Sequence, residues 1–138
     1  LAKRLSKAEA QSGLNFSAPE TIAQYYMEDM RHRKKEALKL LLLNMKTKLI
    51  GESELSLGTI NTTLVSPREV FAEALRRNAA AVILLHNHPS GDPTPSREDV
   101  LATRRVIDAG KIIGIELLDH IIIGDNCFIS LRDKGFFK

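Results

Sequence analysis

Cysteine occurs only once in this 138-residue sequence, as Cys127. A single cysteine cannot form an internal disulfide, which excludes a disulfide-stapled secreted scaffold and favours a reducing compartment, with the cytoplasm as the expectation. Tryptophan is absent, and aromatic residues make up only 5% of the chain. Hydrophobic residues nevertheless reach 43%, enough to build a buried core and to exclude an intrinsically disordered chain.

Long apolar runs are also missing. The longest, residues 79–85, falls well short of the roughly 18 residues that a membrane-spanning helix needs, and His86 follows it. The sequence therefore predicts no membrane partner. No secretory signal pattern follows the first residue, Leu1. We expect residues 1–16 to be a linker remaining from a preceding region and residues 17–138 to form one domain.

Positive charge is concentrated at the beginning of the chain. Residues 1–50 carry ten Lys and Arg against five Asp and Glu, whereas residues 51–138 carry ten against twelve. The most compact basic run is Arg31-His-Arg-Lys-Lys35. Such a run can contact phosphates, or it can be the solvated end of a helix, where the helix dipole favours cations. The second interpretation is favoured because no aromatic interleaving or nucleic-acid motif accompanies the run.

The pattern of apolar residues predicts helices and strands mixed along one chain. Helices are expected to begin at two capping-box patterns, Ser17-Ala-Pro-Glu20 and Ser66-Pro-Arg-Glu69, and a third at Ser96, ending near residues 109–110. Strands are expected at residues 38–45, 49–57, near 64, and at 80–85, 112–123 and 127–130. This mixture predicts an α/β domain with a mixed β-sheet flanked by helices.

The strongest chemical signal lies where a buried strand ends at His86-Asn-His88. A residue before proline is pushed towards extended conformations, and side chains two apart on an extended chain point the same way. Both imidazoles are therefore expected on one side, at the sheet edge where α/β domains build their sites. The Pro- and Gly-rich segment 89–95 turns the chain back, and Asp99 is expected in the first turn of the next helix.

Two imidazoles and one carboxylate are ligands that suit Zn²⁺, and three protein ligands leave a fourth position for water. Zinc lowers the pKa of such a water to about 7 and polarises a carbonyl. The spacing of Ser96 and Asp99 also fits a capping box that needs no metal, so the spacing alone leaves both interpretations open. A deaminase-like zinc site is disfavoured because its paired cysteines are missing.

The segment from His86 to Asp99 resembles the JAMM (MPN+) metalloprotease motif, in which His-x-His is followed after seven residues by Ser and after two more by Asp. The letters HNHPSGDPTPSREDV are similar to bacterial RadC proteins. The similarity continues in SPREVFAEALRRNAAAVILLHNHPSGD and LLDHIIIGDNCFIS and covers roughly residues 17–135. It implies a three-layer JAMM/MPN architecture like that of cytidine deaminases. RadC proteins usually carry a DNA-binding helix-hairpin-helix region ahead of this domain, which implies DNA as a partner through that region.

The resemblance also implies roles for single residues. His86, His88 and Asp99 would be the zinc ligands, and Ser96 would help to hold the oxyanion of a tetrahedral intermediate. The family needs an upstream glutamate as general base, just before a hydrophobic strand, and Glu36 matches that position.

The match at the general base is incomplete. Lys39 stands where the family often has glycine, and Glu52 and Glu54 on the next predicted strand are the alternatives to Glu36. For both alternatives, a solvated face of the strand is the favoured interpretation.

The implied function is zinc-dependent hydrolysis of a peptide or isopeptide-type amide in an unidentified peptide or protein substrate. The alternative is a non-catalytic module associated with DNA repair, which binds DNA or a protein and holds a structural or vestigial zinc. Homo-oligomerisation is left open by the sequence.

Other polar residues near the motif receive structural interpretations. His120 lies in an apolar strand and is interpreted as a buried, hydrogen-bonded histidine, with support of the metal site as the minority alternative. Asp119 is expected to pair with it or to cap a loop. Cys127 is interpreted as a small core residue, and Asn87 and Asp92 as turn formers.

Overall fold

The computed structural model of the chain describes residues 16, 18–55 and 65–137. The elements in these ranges follow one another as α1 (Pro19–Met30), β1 (Leu38–Leu43), β2 (Leu49–Leu55), α2 (Pro67–Arg76), β3 (Ala81–Asn87), α3 (Arg97–Ile113), β4 (Glu116–Ile123) and β5 (Phe128–Ser130). The strand predicted near residue 64, and Ser17 of the first capping pattern, lie outside the described residues.

The five strands form one sheet in the order β2-β1-β3-β4-β5. β1 pairs antiparallel with both β2 and β3, β3 and β4 run parallel, and β4 and β5 pair antiparallel. The connection between the parallel strands is α3, as expected for a crossover between neighbouring parallel strands. The predicted mixed sheet is confirmed, and β3, which carries the histidine motif, lies at its centre.

Helices cover both faces of the sheet because the central strands are apolar on both sides. The alternate side chains Leu38, Leu40 and Leu42 of β1 join the core formed with α2 and α3. Leu41 and Leu43 point the other way and join the core formed with α1. The result is three layers, helix–sheet–helix, in agreement with the predicted architecture.

Burial of β1 and β3 accounts for much of the driving force that holds these layers together. All six residues of β1 are buried, and Leu40, Leu41, Leu42 and Leu43 have no exposed surface. Each fully buried leucine stabilises the fold by about 1.5–3 kcal/mol relative to an exposed one. The central strands therefore form a rigid base for the residues that follow β3.

The helices begin where the proline and serine signals predict, and of the two predicted serine caps that lie within the described residues, only the one at Ser96 forms. α1 begins at Pro19, with Ala18 as its N-cap and no side-chain cap. α2 begins at Pro67 behind Ser66, whose side chain makes no capping hydrogen bond, so the capping box predicted there is wrong. At α3 both reciprocal bonds between Ser96 and Asp99 are present.

The end of α3 differs from the prediction. The helix runs to Ile113 instead of ending near residues 109–110, and the next strand begins at Glu116 instead of at residue 112. The apolar pair at 112–113 resembles the start of a strand, yet Ile112 is 88% exposed in the last helical turn. Gly114 ends the helix because its φ of 90° is readily reached only by glycine.

Among the described residues, none of the helices has the length and apolar character that crossing a membrane would require.

Candidate metal centre

The candidate centre is built where β3 ends and the chain turns towards α3. The backbone amide of His88 donates to the carbonyl of Ile123, which extends the pairing with β4 one residue beyond the strand. The chain then turns at Gly91, whose φ of 90° is costly for any residue with a side chain. Asp92 holds this turn by accepting from the amide and hydroxyl of Thr94, at 3.0 and 2.7 Å. Its interpretation as a turn former agrees with this geometry.

Both histidines of the motif point to the same side, as their spacing predicts. The Nε2 atoms of His86 and His88 are 3.0 Å apart. Asp99 faces both rings, with Oδ1 3.6 Å from Nε2 of His86 and Oδ2 3.2 Å from Nε2 of His88. The three residues predicted as ligands therefore converge, although eleven positions separate His88 from Asp99.

The capping box of α3 orients the Asp99 carboxylate. Oδ2 of Asp99 accepts from the backbone amide of Ser96 at 2.9 Å, and the Ser96 hydroxyl oxygen accepts from the backbone amide of Asp99 at 3.0 Å. The hydroxyl of Ser96 thus acts as an acceptor in the cap and keeps its own proton available. The carboxylate that closes the cap is therefore the same one that faces the two histidines.

Glu36 lies in the segment between α1 and β1 and reaches the same place. Its Oε1 is 3.7 Å from Nε2 of His88, and one ligand atom each from Glu36, His86 and His88 lies within 4.8 Å of the others. The alternative Glu54 instead accepts a hydrogen bond from Arg33 at 2.7 Å. Glu52 lies on β2, opposite Leu41 of β1.

Lys39, at the position where the family often has glycine, points to the α1 face of the sheet, opposite to the face of His86. It is buried in the sheet, and its Nζ lies 3.5 Å from Oδ2 of Asp29 and 3.9 Å from Oε1 of Glu54. The ammonium also lies 5.8 Å from the centre of the Tyr26 ring. The lysine charge is therefore matched by α1 and β2 and does not displace Glu36.

Asn87, interpreted from the sequence as a turn former, has a different place in the structure. It is the last residue of β3 and only 1% exposed. Its Oδ1 accepts from the amide of Ala37 at 2.7 Å, and its Nδ2 donates to the carbonyl of Lys35 at 3.2 Å. Asn87 therefore ties the end of β3 to both neighbours of Glu36, and the turn-former interpretation is wrong.

Comparison with known proteins identifies the family. Residues 16–136 match the model of the RadC-like JAB domain. The chain belongs to the RadC family. It is 52% identical over 135 residues to the UPF0758 protein of Bacillus cereus strain B4264, covering 98% of this chain and 60% of that protein. For the UPF0758 protein of Caldanaerobacter subterraneus the identity is 48% over 137 residues, covering 99% of this chain and 59% of the relative. The chain thus spans about 60% of the length of these relatives.

A third histidine of the RadC domain contacts the Nδ1 side of the His86 ring. His120 on β4 is 1% exposed, and its Nε2 lies 2.6 Å from Nδ1 of His86. On its other side, Nδ1 of His120 lies 2.6 Å from the hydroxyl of Thr103 on α3. The interpretation as a buried, hydrogen-bonded histidine agrees with this geometry, and one of its partners is itself a predicted metal ligand.

An irregular register of β4 brings His120 to this face. Val82 of β3 pairs with Leu117, but the next residue, Ile83, pairs with Asp119, so Leu118 is an extra residue in the ladder. A bulge of this kind reverses the alternation of the residues that follow it. Because regular alternation from Leu117 would turn His120 to the α1 face, the bulge decides that it contacts His86.

The buried carboxylate of Asp119 accepts hydrogen bonds from neighbouring residues. Its Oδ1 accepts from the amides of His120 and Arg132, and its Oδ2 accepts from the hydroxyl of Ser130. Of the two roles predicted for Asp119, the capping of a loop agrees with these bonds.

Burial controls the charge of the two innermost histidines. Removal from water lowers the pKa of His86 to about 4, although the nearby Asp99 opposes the shift. Burial likewise holds the pKa of His120 well below its ordinary value. Both rings are therefore neutral near pH 7, and a neutral imidazole is the form that binds metals.

The pKa values of the other three groups are shifted in different directions. Hydrogen bonding to Asp99 raises the pKa of His88, assisted by the Asp92 carbonyl and by Glu36. Burial disfavours the charged form of Asp99, but the hydrogen bond from His88 and the attraction of His86 hold its pKa well below the usual range. For Glu36, burial is the main cause of a raised pKa, with repulsion by Asp99 acting in the same direction.

The donor set fits a divalent cation. Nδ1 of His88 lies 3.0 Å from the carbonyl oxygen of Asp92, which can only accept, so the ring directs Nε2 towards His86 and Asp99. Two imidazole nitrogens and a buried carboxylate then face one another without another cationic side chain among these contacts. Nitrogen and carboxylate ligands of this kind suit zinc and related transition metals.

The basic run and Cys127 lie outside the candidate centre. In the basic run, Arg31 bonds Asp125 at 2.9 Å, and Arg33 bonds both Asp29 and Glu54. Since these two arginine side chains are only 21% and 28% exposed and are bound to acidic partners, the interpretation as a solvated helix end does not hold for them. Cys127 is exposed in the turn before β5, so its interpretation as a core residue is wrong.

Proposed function

We propose that this RadC domain is a zinc-dependent hydrolase that cleaves a peptide or isopeptide-type amide. The observation that carries the proposal is the convergence of two histidines, Asp99 and the partly exposed Glu36 near the end of β3. In this arrangement His86, His88 and Asp99 are the metal ligands, and Glu36 and Ser96 are the residues that act on the substrate. Three protein ligands leave a position open, which is the pattern of catalytic zinc sites.

A bound zinc supplies a water of lowered pKa and polarises the carbonyl of the substrate. The protein supplies the ligands and their orientation. Asp99 is held by the first turn of α3, and His88 by the carbonyl of Asp92. Since His86 and Asp99 are almost fully buried, the interaction of these ligands with a cation is little screened by water.

Glu36 is suited to move protons in this reaction. It is partly exposed beside His88, and burial raises the pKa of its carboxyl group. A carboxylate with a raised pKa is a better base near neutral pH than an exposed one. Glu36 accepts a proton from the attacking water and returns it to the leaving amine. Asn87 keeps the carboxylate in reach by bonding the residues on either side of it.

Ser96 is suited to stabilise the oxyanion that forms when the carbonyl is attacked. Its hydroxyl oxygen accepts the Asp99 amide, so its proton remains available for donation to a negatively charged oxygen. The cap also holds the serine at the same helix start as the ligand Asp99.

The test compares the unaltered domain with Glu36→Gln, and uses Glu69→Gln on α2 as a matched control. Each protein is loaded with zinc and assayed for metal content and for cleavage of a random-sequence peptide mixture and a panel of lysine-linked isopeptides. We expect about one zinc per chain in all three proteins. Cleavage is expected to fall by about 10²–10⁴-fold in Glu36→Gln, which is the usual contribution of a general base, and to be unchanged in the control.

Absence of zinc in the unaltered protein would overturn the metal centre itself. Zinc binding without cleavage of any peptide or isopeptide would overturn the hydrolase and favour the binding module. Equal cleavage by Glu36→Gln would overturn the role of Glu36.

A further inference from the structure

A chain of three short contacts runs through the core behind His86. The Thr103 hydroxyl lies 2.7 Å from the carbonyl oxygen of Asp99 and 2.6 Å from Nδ1 of His120. Nε2 of His120 then lies 2.6 Å from Nδ1 of His86. Thr103 and His120 are each 1% exposed and His86 is 4% exposed, so water does not compete for these groups.

The direction of the chain follows from its first member. A carbonyl oxygen can only accept, so the hydroxyl proton of Thr103 belongs to the contact with Asp99. The hydroxyl oxygen must then accept from Nδ1–H of His120. A neutral His120 with its proton on Nδ1 has a bare Nε2, which accepts from Nδ1–H of His86. This is the one arrangement of neutral rings that places a proton in each of the three contacts.

We infer that Thr103 and His120 are positioning residues, which hold the proton of His86 on Nδ1 and thereby leave its Nε2 lone pair for the metal. The inference rests on the proposed metal centre for its purpose, but the proton position follows from the hydrogen bonds alone. It adds to the proposed function the two residues that set the tautomer of His86, the more buried histidine ligand. A partner on the far nitrogen commonly sets the tautomer and basicity of a metal-binding histidine.

The two ligand histidines differ in the partner that holds the proton on Nδ1. His88 is partly exposed and donates directly to the backbone carbonyl of Asp92. His86 is deeper, and its Nδ1 contacts another imidazole, which could either donate or accept. An imidazole partner therefore determines the tautomer only if its own proton is held elsewhere, and Thr103 supplies that anchor.

The experiment compares Thr103→Val with Thr103→Ser. Valine keeps the branched shape but removes the hydroxyl, so His120 loses its acceptor and is free to carry its proton on Nε2. This would force the His86 proton onto its own Nε2. Serine keeps the hydroxyl and removes a methyl group. We expect Thr103→Val to weaken zinc binding by about 10–100-fold and Thr103→Ser to stay close to the unaltered protein.

Nitrogen NMR of the metal-free proteins provides a readout that does not depend on zinc. We expect Nε2 of His86 to be unprotonated in the unaltered protein and in Thr103→Ser, and protonated in Thr103→Val. A role in packing alone predicts instead that Thr103→Ser, which loses a buried methyl group, binds zinc at least as weakly as Thr103→Val.

The outcomes separate this inference from the proposed function. An Nε2 proton on His86 in the unaltered protein would overturn the inference even if Thr103→Val fails to fold. Unchanged zinc affinity in a folded Thr103→Val would overturn it as well. If the unaltered protein binds no zinc but shows the expected tautomer, the metal centre fails and the hydrogen-bond chain stands.

Discussion

Two helices of this domain begin with closely similar four-residue patterns and use them differently. At the start of α2, Ser66 is followed three positions later by Glu69, and no side-chain cap forms. At the start of α3, Ser96 is followed three positions later by Asp99, and both reciprocal bonds form. Glu69 is exposed, whereas Asp99 is only 2% exposed.

The difference shows how burial turns an optional hydrogen bond into a required one. An exposed carboxylate is satisfied by water, so a bond to the helix amides adds little to stability. A buried carboxylate must find partners, and Asp99 finds the amide of Ser96 together with His86 and His88. The cap at α3 thereby becomes part of the candidate metal centre, while the start of α2 only directs a helix.

The largest expected effect on zinc affinity comes from removing the carboxylate charge at the start of α3, with the start of α2 as the comparison. Asp99→Asn is expected to lower zinc affinity on the order of 1,000-fold, because loss of one charged partner in a buried group costs about 3–5 kcal/mol. Glu69→Gln should leave zinc affinity unchanged. Competition titration of both variants with a zinc chelator measures the difference, and equal affinities would contradict the separation of the two helix starts.

A change of pH is expected to act on the buried groups behind Asp99. The pKa of His86 is lowered to about 4 and that of His120 is also depressed, so both stay neutral while the unfolded chain takes up protons below pH 6.5. The contribution of these two histidines to the free energy of unfolding is thus fully present above pH 6.5. It is lost as the pH falls towards their pKa values in the folded protein. Between pH 6.5 and 5.5, the lowered pKa of His86 should reduce the free energy of unfolding by about 1 kcal/mol, and His120 should add a loss of the same sign.

Denaturant unfolding of the metal-free domain at several pH values measures this slope. The control is His32→Gln, since the His32 side chain is 62% exposed and lies outside the buried group. The slope should be the same in the control. A free energy of unfolding that does not change over this range would contradict the buried, neutral state of His86 and His120.

The smallest expected effect separates the two serines. Ser96→Ala removes a cap that forms and should lower the free energy of unfolding by about 1 kcal/mol. Ser66→Ala removes a side chain that makes no capping bond, and a change within about 0.5 kcal/mol is expected, as for other surface positions. Chemical denaturation of the two metal-free variants tests the difference. Equal losses would mean that the two helix starts are equivalent in solution.

Much of the centre could be predicted from the sequence because its ligands lie close together along the chain. His86 and His88 share a side through the period-two geometry of a strand. Asp99 follows a turn marked by Pro89 and Gly91, and the capping pattern at Ser96 places it in the first helical turn. These are local rules, which depend on neighbours within about a dozen residues.

The contacts of the supporting residues were harder to predict because their partners are distant in sequence. Asn87 looks like a turn residue, yet it bonds Ala37, fifty positions earlier. His120 reaches His86 because a bulge at Leu118 reverses the alternation of β4. Whether the ladder contains an extra residue depends on pairing with β3, and no pattern within β4 specifies it.

The order of apolar and polar residues along the chain was sufficient for the α/β class, for the buried strand that ends at the histidines and for the shared side of His86 and His88, since periodicity and capping act over short distances. Folding alone decided that Glu36 meets His88, that Thr103 and His120 stand behind His86, and that only one of two similar capping patterns closes. In each case burial is the reason, because a polar group taken out of water must bond whatever the packing of the three layers brings beside it.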